Sequence, residues 1–304
     1  MGVNYFLSTD PSAPVLDGTV GSLVNLLDKC LVNGYGSKSP LGWGIAYTAT
    51  NVRVYRAPSG NRMYLKVDDS VSVVSAGGGA AVNVYETMSG ISTGTNPFWP
   101  ANDRLILKSV DATSSARPWA LVGDERLFYL SIEYQPSRCK GHCFGEIISR
   151  QPADPFATVL MAMSSGASGA ATASTTFHIY FLPLLGSTQG NSVIARRFNN
   201  LPGATAIGFA SLGVNMSMGT LGYPYPNRSG NLLVISPSVE VVELGNIRGT
   251  MPGFRYPLHL MPLTNYSIVT GVAGMGGRSL LALSQAEAAT NTGQILLDIT
   301  GPWR

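Results

Sequence analysis

Cys139-Lys-Gly-His142-Cys143 puts three metal-capable side chains within five residues. Structural zinc sites join a closely spaced cysteine pair to a second, distant pair of ligands. The distant groups here are Cys30, His178 and His259, so a four-ligand site needs folding to bring them together. The same spacing suits a local disulfide or free thiols in a hairpin loop. The expectation is therefore no metal and no cofactor, with Cys139, His142 and Cys143 as the metal candidates to follow.

Gly271-Val-Ala-Gly-Met-Gly-Gly277 follows a strand pattern but matches neither the dinucleotide nor the P-loop spacing, and reads as a hairpin connection. The chain has no G-x-S-x-G elbow, and no histidine has a carboxylate beside it in sequence. The acidic pairs Asp68–Asp69 and Asp124–Glu125 fall at turns, where Asp bonds backbone. No catalytic residue is expected, and the chain reads as a non-enzyme. A glycosidase can still draw two carboxylates from distant strands, which keeps a polysaccharide depolymerase as a lesser alternative. Aromatic residues cluster with arginine and proline at Phe98, Trp99, Arg117 and Trp119, and again at Tyr223 and Tyr225. They read either as rigid loop packing or as an interface or glycan contact, since such side chains anchor interfaces.

The elements that would position these residues are mostly strands. Val20, Leu23, Val24, Leu27 and Leu31 fall on one stripe of a 3.6-residue period. That predicts an amphipathic helix over about 20–33, with Thr19 as cap, Gly34 at its end, and Asn25, Asp28 and Lys29 outward. Period-two segments follow at 51–56, 63–67, 81–85, 105–108, 119–122, 127–132 and 144–148, separated by turn residues. More follow at 177–182, 192–195, 232–236, 239–243, 256–260, 267–270, 280–284 and 295–299. The spacing suits an antiparallel β-sandwich or meander with one N-terminal helix rather than β-α-β units. The uncharged, small-residue stretch 164–176 divides an N-terminal helix-plus-β domain (1–163) from a second β region (177–304) that can pack into the same domain.

Composition limits the partners. The 304 residues are 45% apolar but only 12% charged, about half the ~25% of ordinary domains. Such a surface suits an extracellular protein or one permanently packed against neighbours. A net charge of +3 with scattered Lys and Arg gives no basic stripe for nucleic acid. No apolar run approaches the ~18–20 residues of a membrane span, and the N-terminal residues carry no signal-peptide or myristoylation pattern.

Longer stretches resemble a known family. Thr9-Asp-Pro-Ser-Ala-Pro-Val-Leu-Asp-Gly18, followed by Gly21-Ser-Leu-Val-Asn-Leu-Leu-Asp-Lys-Cys-Leu-Val-Asn-Gly-Tyr-Gly-Ser-Lys38, is similar to tailed-bacteriophage virion structural proteins. Further matching segments are Gly42-Trp43, Tyr85-Glu-Thr-Met-Ser89, Gly94-Thr-Asn-Pro-Phe98, Ala116-Arg-Pro-Trp119, Phe144-Gly-Glu146 and Leu244-Gly-Asn-Ile-Arg-Gly249. Cys139–Cys143 falls in a segment that varies in the family. The resemblance implies an accessory protein on the virion exterior (tail, neck, baseplate or head decoration). It would be located in the virion, with other phage virion proteins as partners, and act by subunit packing in a symmetric multi-copy assembly. The alternative it leaves open is a host-surface receptor- or glycan-binding tail protein.

Overall fold

The computed structural model describes residues 2–70, 78–100, 103–164, 192–210, 238–255, 263–270, 272, 275–284 and 294–304. The chain is mostly β, in antiparallel sheets with one short helix. The first sheet has seven strands in the order Asn4–Leu7, Trp119–Gly123, Leu127–Gln135, Arg138–Glu146, Thr158–Met161, Ser192–Ile194, Thr205–Ala206. The second runs Met163–Ser164, Arg104–Ser109, Gly78–Gly90, Tyr64–Asp68, Val52–Arg56, Gly44–Ala49, and Thr93–Pro97 pairs with the far end of Gly78–Gly90. Two four-stranded sheets complete the set: Ile148–Ser149, Asn246–Thr250, Glu240–Glu243, Gly208–Ala210; and Phe254–Arg255, Gln294–Asp298, Leu280–Ser284, Ile268–Val269.

One apolar core runs through all four sheets, from Phe6 to Trp303. Strands covered on both faces lose the clean alternation that marks a half-exposed strand, and Arg104–Ser109 and Trp119–Gly123 are buried at every position. Edge-on aromatic contacts tie the layers: Trp43 to Phe128 and Phe144, and Tyr129 to Phe254 and Trp303. The Thr158–Met161 strand pairs with Ser192–Ile194, so strands before and after residues 164–176 share one sheet. All but Ser164 of that stretch lies outside the described residues, as do the strands expected at 177–182, 232–236 and 256–260.

The helix is shorter than its stripe predicts. It is α-helical over Ser22–Leu27 and continues as a π-helical turn over Asp28–Asn33. Gly21, at φ +82°, turns the chain before the first helical residue, which leaves Val20 outside and 52% exposed. Leu23, Val24, Leu27 and Leu31 are buried as the period requires, and Leu26 and Cys30 join them. Asn25 and Lys29 face out, but Asp28 does not: it accepts the Tyr55 hydroxyl at 2.8 Å and pairs with Arg53 at 3.2 Å. Gly34 ends the segment at φ +76°, a backbone region that favours glycine. Among the described residues, no helix is long and apolar enough to cross a membrane.

Candidate functional site

The Cys139–Cys143 cluster lies within the Arg138–Glu146 strand, not in a hairpin loop. Successive side chains of a strand point to opposite faces. Cys139 and Cys143 therefore share one face, separated by about 13 Å of strand rise, and His142 stands on the other. Cys139 reaches Asn265, whose side-chain nitrogen is 3.3 Å from the sulfur, while His142 lies opposite Leu130 in the ladder. All three cysteines are free thiols and buried. Burial pushes the Cys139 thiol up to about 12 and the His142 imidazole down to about 3. These are inert thiols and a neutral imidazole, and the three groups do not converge on one point. Among the described residues, no group of three or more His, Cys, Asp or Glu side chains is placed to hold a metal.

The aromatic candidates separate. Trp119 is fully buried, its indole N–H donating to the Pro14 carbonyl at 3.1 Å, and Phe98 is 2% exposed. Both side chains are packed in the core and offer no surface to a glycan or a partner. Trp99 is half-buried with the Arg104 guanidinium stacked 3.2 Å from its ring centre. Arg117 is held by Asp111 at 2.9 Å and by Ser109. Tyr223 and Tyr225 lie outside the described residues.

Two buried ionic clusters left no signal in the sequence. Lys108 and Asp69 pair at 2.5 Å with about 1% of each side chain exposed. The other Asp69 oxygen accepts the Leu23 backbone N–H at 2.9 Å, so a carboxylate 46 residues away does the capping that Thr19 was expected to do. Arg248, fully buried, forks onto Asp154 at 2.9 and 3.0 Å and reaches Glu243 at 3.0 Å. Both tie elements together, and the Lys108–Asp69 pair has no open approach. A cleft of about 490 Å³ opens beside the second cluster, with Arg126, Glu146, Gln151, Asp154 and Arg304 among its walls. Its ions are engaged with one another or with backbone: Arg126 with Glu146, Arg304 with the Glu146 and Ile147 carbonyls and Asp124.

The open chemistry lies at the edge of the second sheet. The Gly44–Ala49 strand has five of its six residues exposed and only Val52–Arg56 as partner among the described residues. Its ladder is broken by one bulge, between Ile45 and Tyr47. The hairpin formed by the end of Gly78–Gly90 and by Thr93–Pro97 adjoins it, through the Tyr47 hydroxyl donating to the Met88 carbonyl at 3.0 Å. The Thr87 and Thr95 hydroxyls meet at 2.5 Å across the hairpin. The Tyr85 ring packs against Gly94, where a Cβ would collide with it. Residues 44–51 and 87–97 contain no Asp, Glu, Lys or Arg. At the chain's own 12% charge, about two would be expected in a stretch of that length. What this face can do is pair and pack, with no ion to strip of water.

No protein-family model matches the chain, and no curated protein matches it.

Proposed function

We propose that this chain is a structural subunit of a tailed-bacteriophage particle. It would sit on the exterior, as a tail, neck, baseplate or head-decoration protein, and act by packing against neighbouring virion proteins rather than by catalysis. The observation that carries this reading is the uncharged face of Gly44–Ala49 and the adjoining hairpin. Natural proteins protect exposed strand edges with lysine, proline or inward charges. The Gly44–Ala49 strand has one bulge and none of those residues, while the hairpin has Pro97 at its end and a bulge between Met88 and Gly90. Burying it leaves no unpaired ion in an interface, which is the costly event in association. A neighbouring strand can extend the sheet through main-chain bonds, with specificity set by alternate side chains. The sequence resemblance to virion structural proteins supports the same reading.

The test is mass spectrometry of purified virions, paired with the variants Thr48→Lys and Thr95→Lys. The polypeptide is expected in the particle. Each lysine is expected to cut incorporation several-fold while the free subunit keeps its wild-type unfolding midpoint. Virions devoid of the polypeptide overturn the reading, and unimpaired incorporation of both lysine variants removes this face from it.

A further inference from the structure

We propose that Lys108 and Asp69 condense into an intramolecular isopeptide bond in the folded chain. The geometry has the parts such a reaction needs. Nζ of Lys108 sits 2.5 Å from Oδ1 of Asp69. An amine that close to a carboxyl oxygen lies within the roughly 3–3.5 Å near-attack range of its carbon. Both side chains are about 1% exposed, so bulk water neither screens the pair nor competes for it. The second carboxyl oxygen accepts the Leu23 backbone N–H at 2.9 Å, a fixed donor aimed where negative charge develops during acyl transfer. The amine also contacts the Thr19 carbonyl at 2.5 Å and the Ser22 hydroxyl at 3.3 Å.

Burial disfavours a charged carboxylate, and it raises the Asp69 carboxyl above its ordinary range against the pull of Lys108 and the backbone donors. One proton passes from the ammonium to Oδ1, giving a neutral amine and a carboxylic acid. The nitrogen lone pair then forms the Nζ–Cγ bond, and the carbonyl electron pair moves onto Oδ2, held by Leu23 N–H. Collapse restores the carbonyl and breaks the Cγ–Oδ1 bond. Oδ1 leaves as water, carrying the acid proton and one proton from the amine 2.5 Å away. An amide with one N–H remains. Nothing is oxidised or reduced, and no co-reactant is consumed.

The bond would tie the end of the Tyr64–Asp68 strand to the Arg104–Ser109 strand, the two neighbours of Gly78–Gly90 in the sheet. A pull on the two termini would then bypass residues 70–107, which include the Gly78–Gly90 strand.

Intact-mass measurement of the purified full-length chain tests the proposal. The folded protein is expected to be lighter than its sequence by one water, and digestion to give a branched peptide joining Asp69 to Lys108. Lys108→Arg is expected to show the full sequence mass. Asp69→Asn keeps the shape and condenses with loss of ammonia instead of water, a signature that an ion pair cannot give. Folded wild-type protein at its full sequence mass overturns the proposal. So does a lost water that maps to the Asp17–Gly18 bond instead of the branched peptide.

Discussion

Replacing Arg248 by methionine should be among the most damaging single changes available to this fold. The guanidinium is fully buried and makes three bonds of 2.9–3.0 Å to Asp154 and Glu243. Each carboxylate has further fixed donors: Ser149 Oγ at 2.7 Å and Phe156 N–H at 3.0 Å for Asp154, and Phe198 N–H at 3.1 Å for Glu243. Methionine fills much of the volume but leaves two carboxylates buried without their cation. Breaking a buried ion cluster from one side costs about 3–5 kcal/mol, a large part of a net stability of about 5–15 kcal/mol. For a chain of this length the urea slope lies near the upper end of its range, about 3 kcal/mol/M, so the midpoint should fall by about 1–1.7 M. Urea unfolding at pH 7, followed by tryptophan fluorescence, measures it. The triple variant Arg248→Met/Asp154→Asn/Glu243→Gln removes the orphaned charges and should recover part of the loss. A single variant within about 0.2 M of wild type, the scatter of surface substitutions, would refute the assignment of this cluster as a tie between the Asn246–Thr250 strand and the loop that carries Asp154.

Leu27→Ala should cost about 2–5 kcal/mol, since Leu27 is fully buried in the core; amide exchange over 22–31 would rise only if the helix were a detachable arm. The His142 imidazole, held down to about 3 by burial, stays neutral in the folded chain, while the unfolded chain takes up a proton below about 6.5. Stability attributable to it is therefore full above pH 6.5 and falls as the pH drops towards 3. The loss is about 2–3 kcal/mol by pH 4.5, and His142→Leu should be flatter than wild type over that window in acid unfolding. Gly145→Ala should destabilise by more than about 1 kcal/mol, because φ is +140° there and a Cβ would collide with the Arg126 and Leu127 backbone; thermal unfolding reads this directly.

What the sequence determined by itself was the local periodicity. Alternation at 51–56 and 63–67 marks strands because a strand's side chains change face at every residue, and short apolar runs bounded by turn residues mark those at 119–122 and 127–132. The stripe from Leu23 to Leu31 likewise marks a helix, and Gly34 marks its end. The turn role of Asp68 and Asp124 was legible too: Asp68 bonds the Ser70 N–H and Asp124 bonds the N–H groups of Arg126 and Leu127. Its neighbour Asp69 has the same residue type and the same local setting, yet it caps a helix 46 residues earlier and pairs with Lys108. Arg248 meets Glu243 five residues away but Asp154 ninety-four residues away, and no spacing rule spans that gap. The tertiary structure alone decided these partners. It also placed Phe98 and Trp119 in the core, and set Cys139 and Cys143 on one face of a strand with His142 on the other. Residue type reports what a side chain can bond, and only the register and stacking of sheets bring a distant group within its few ångströms of reach.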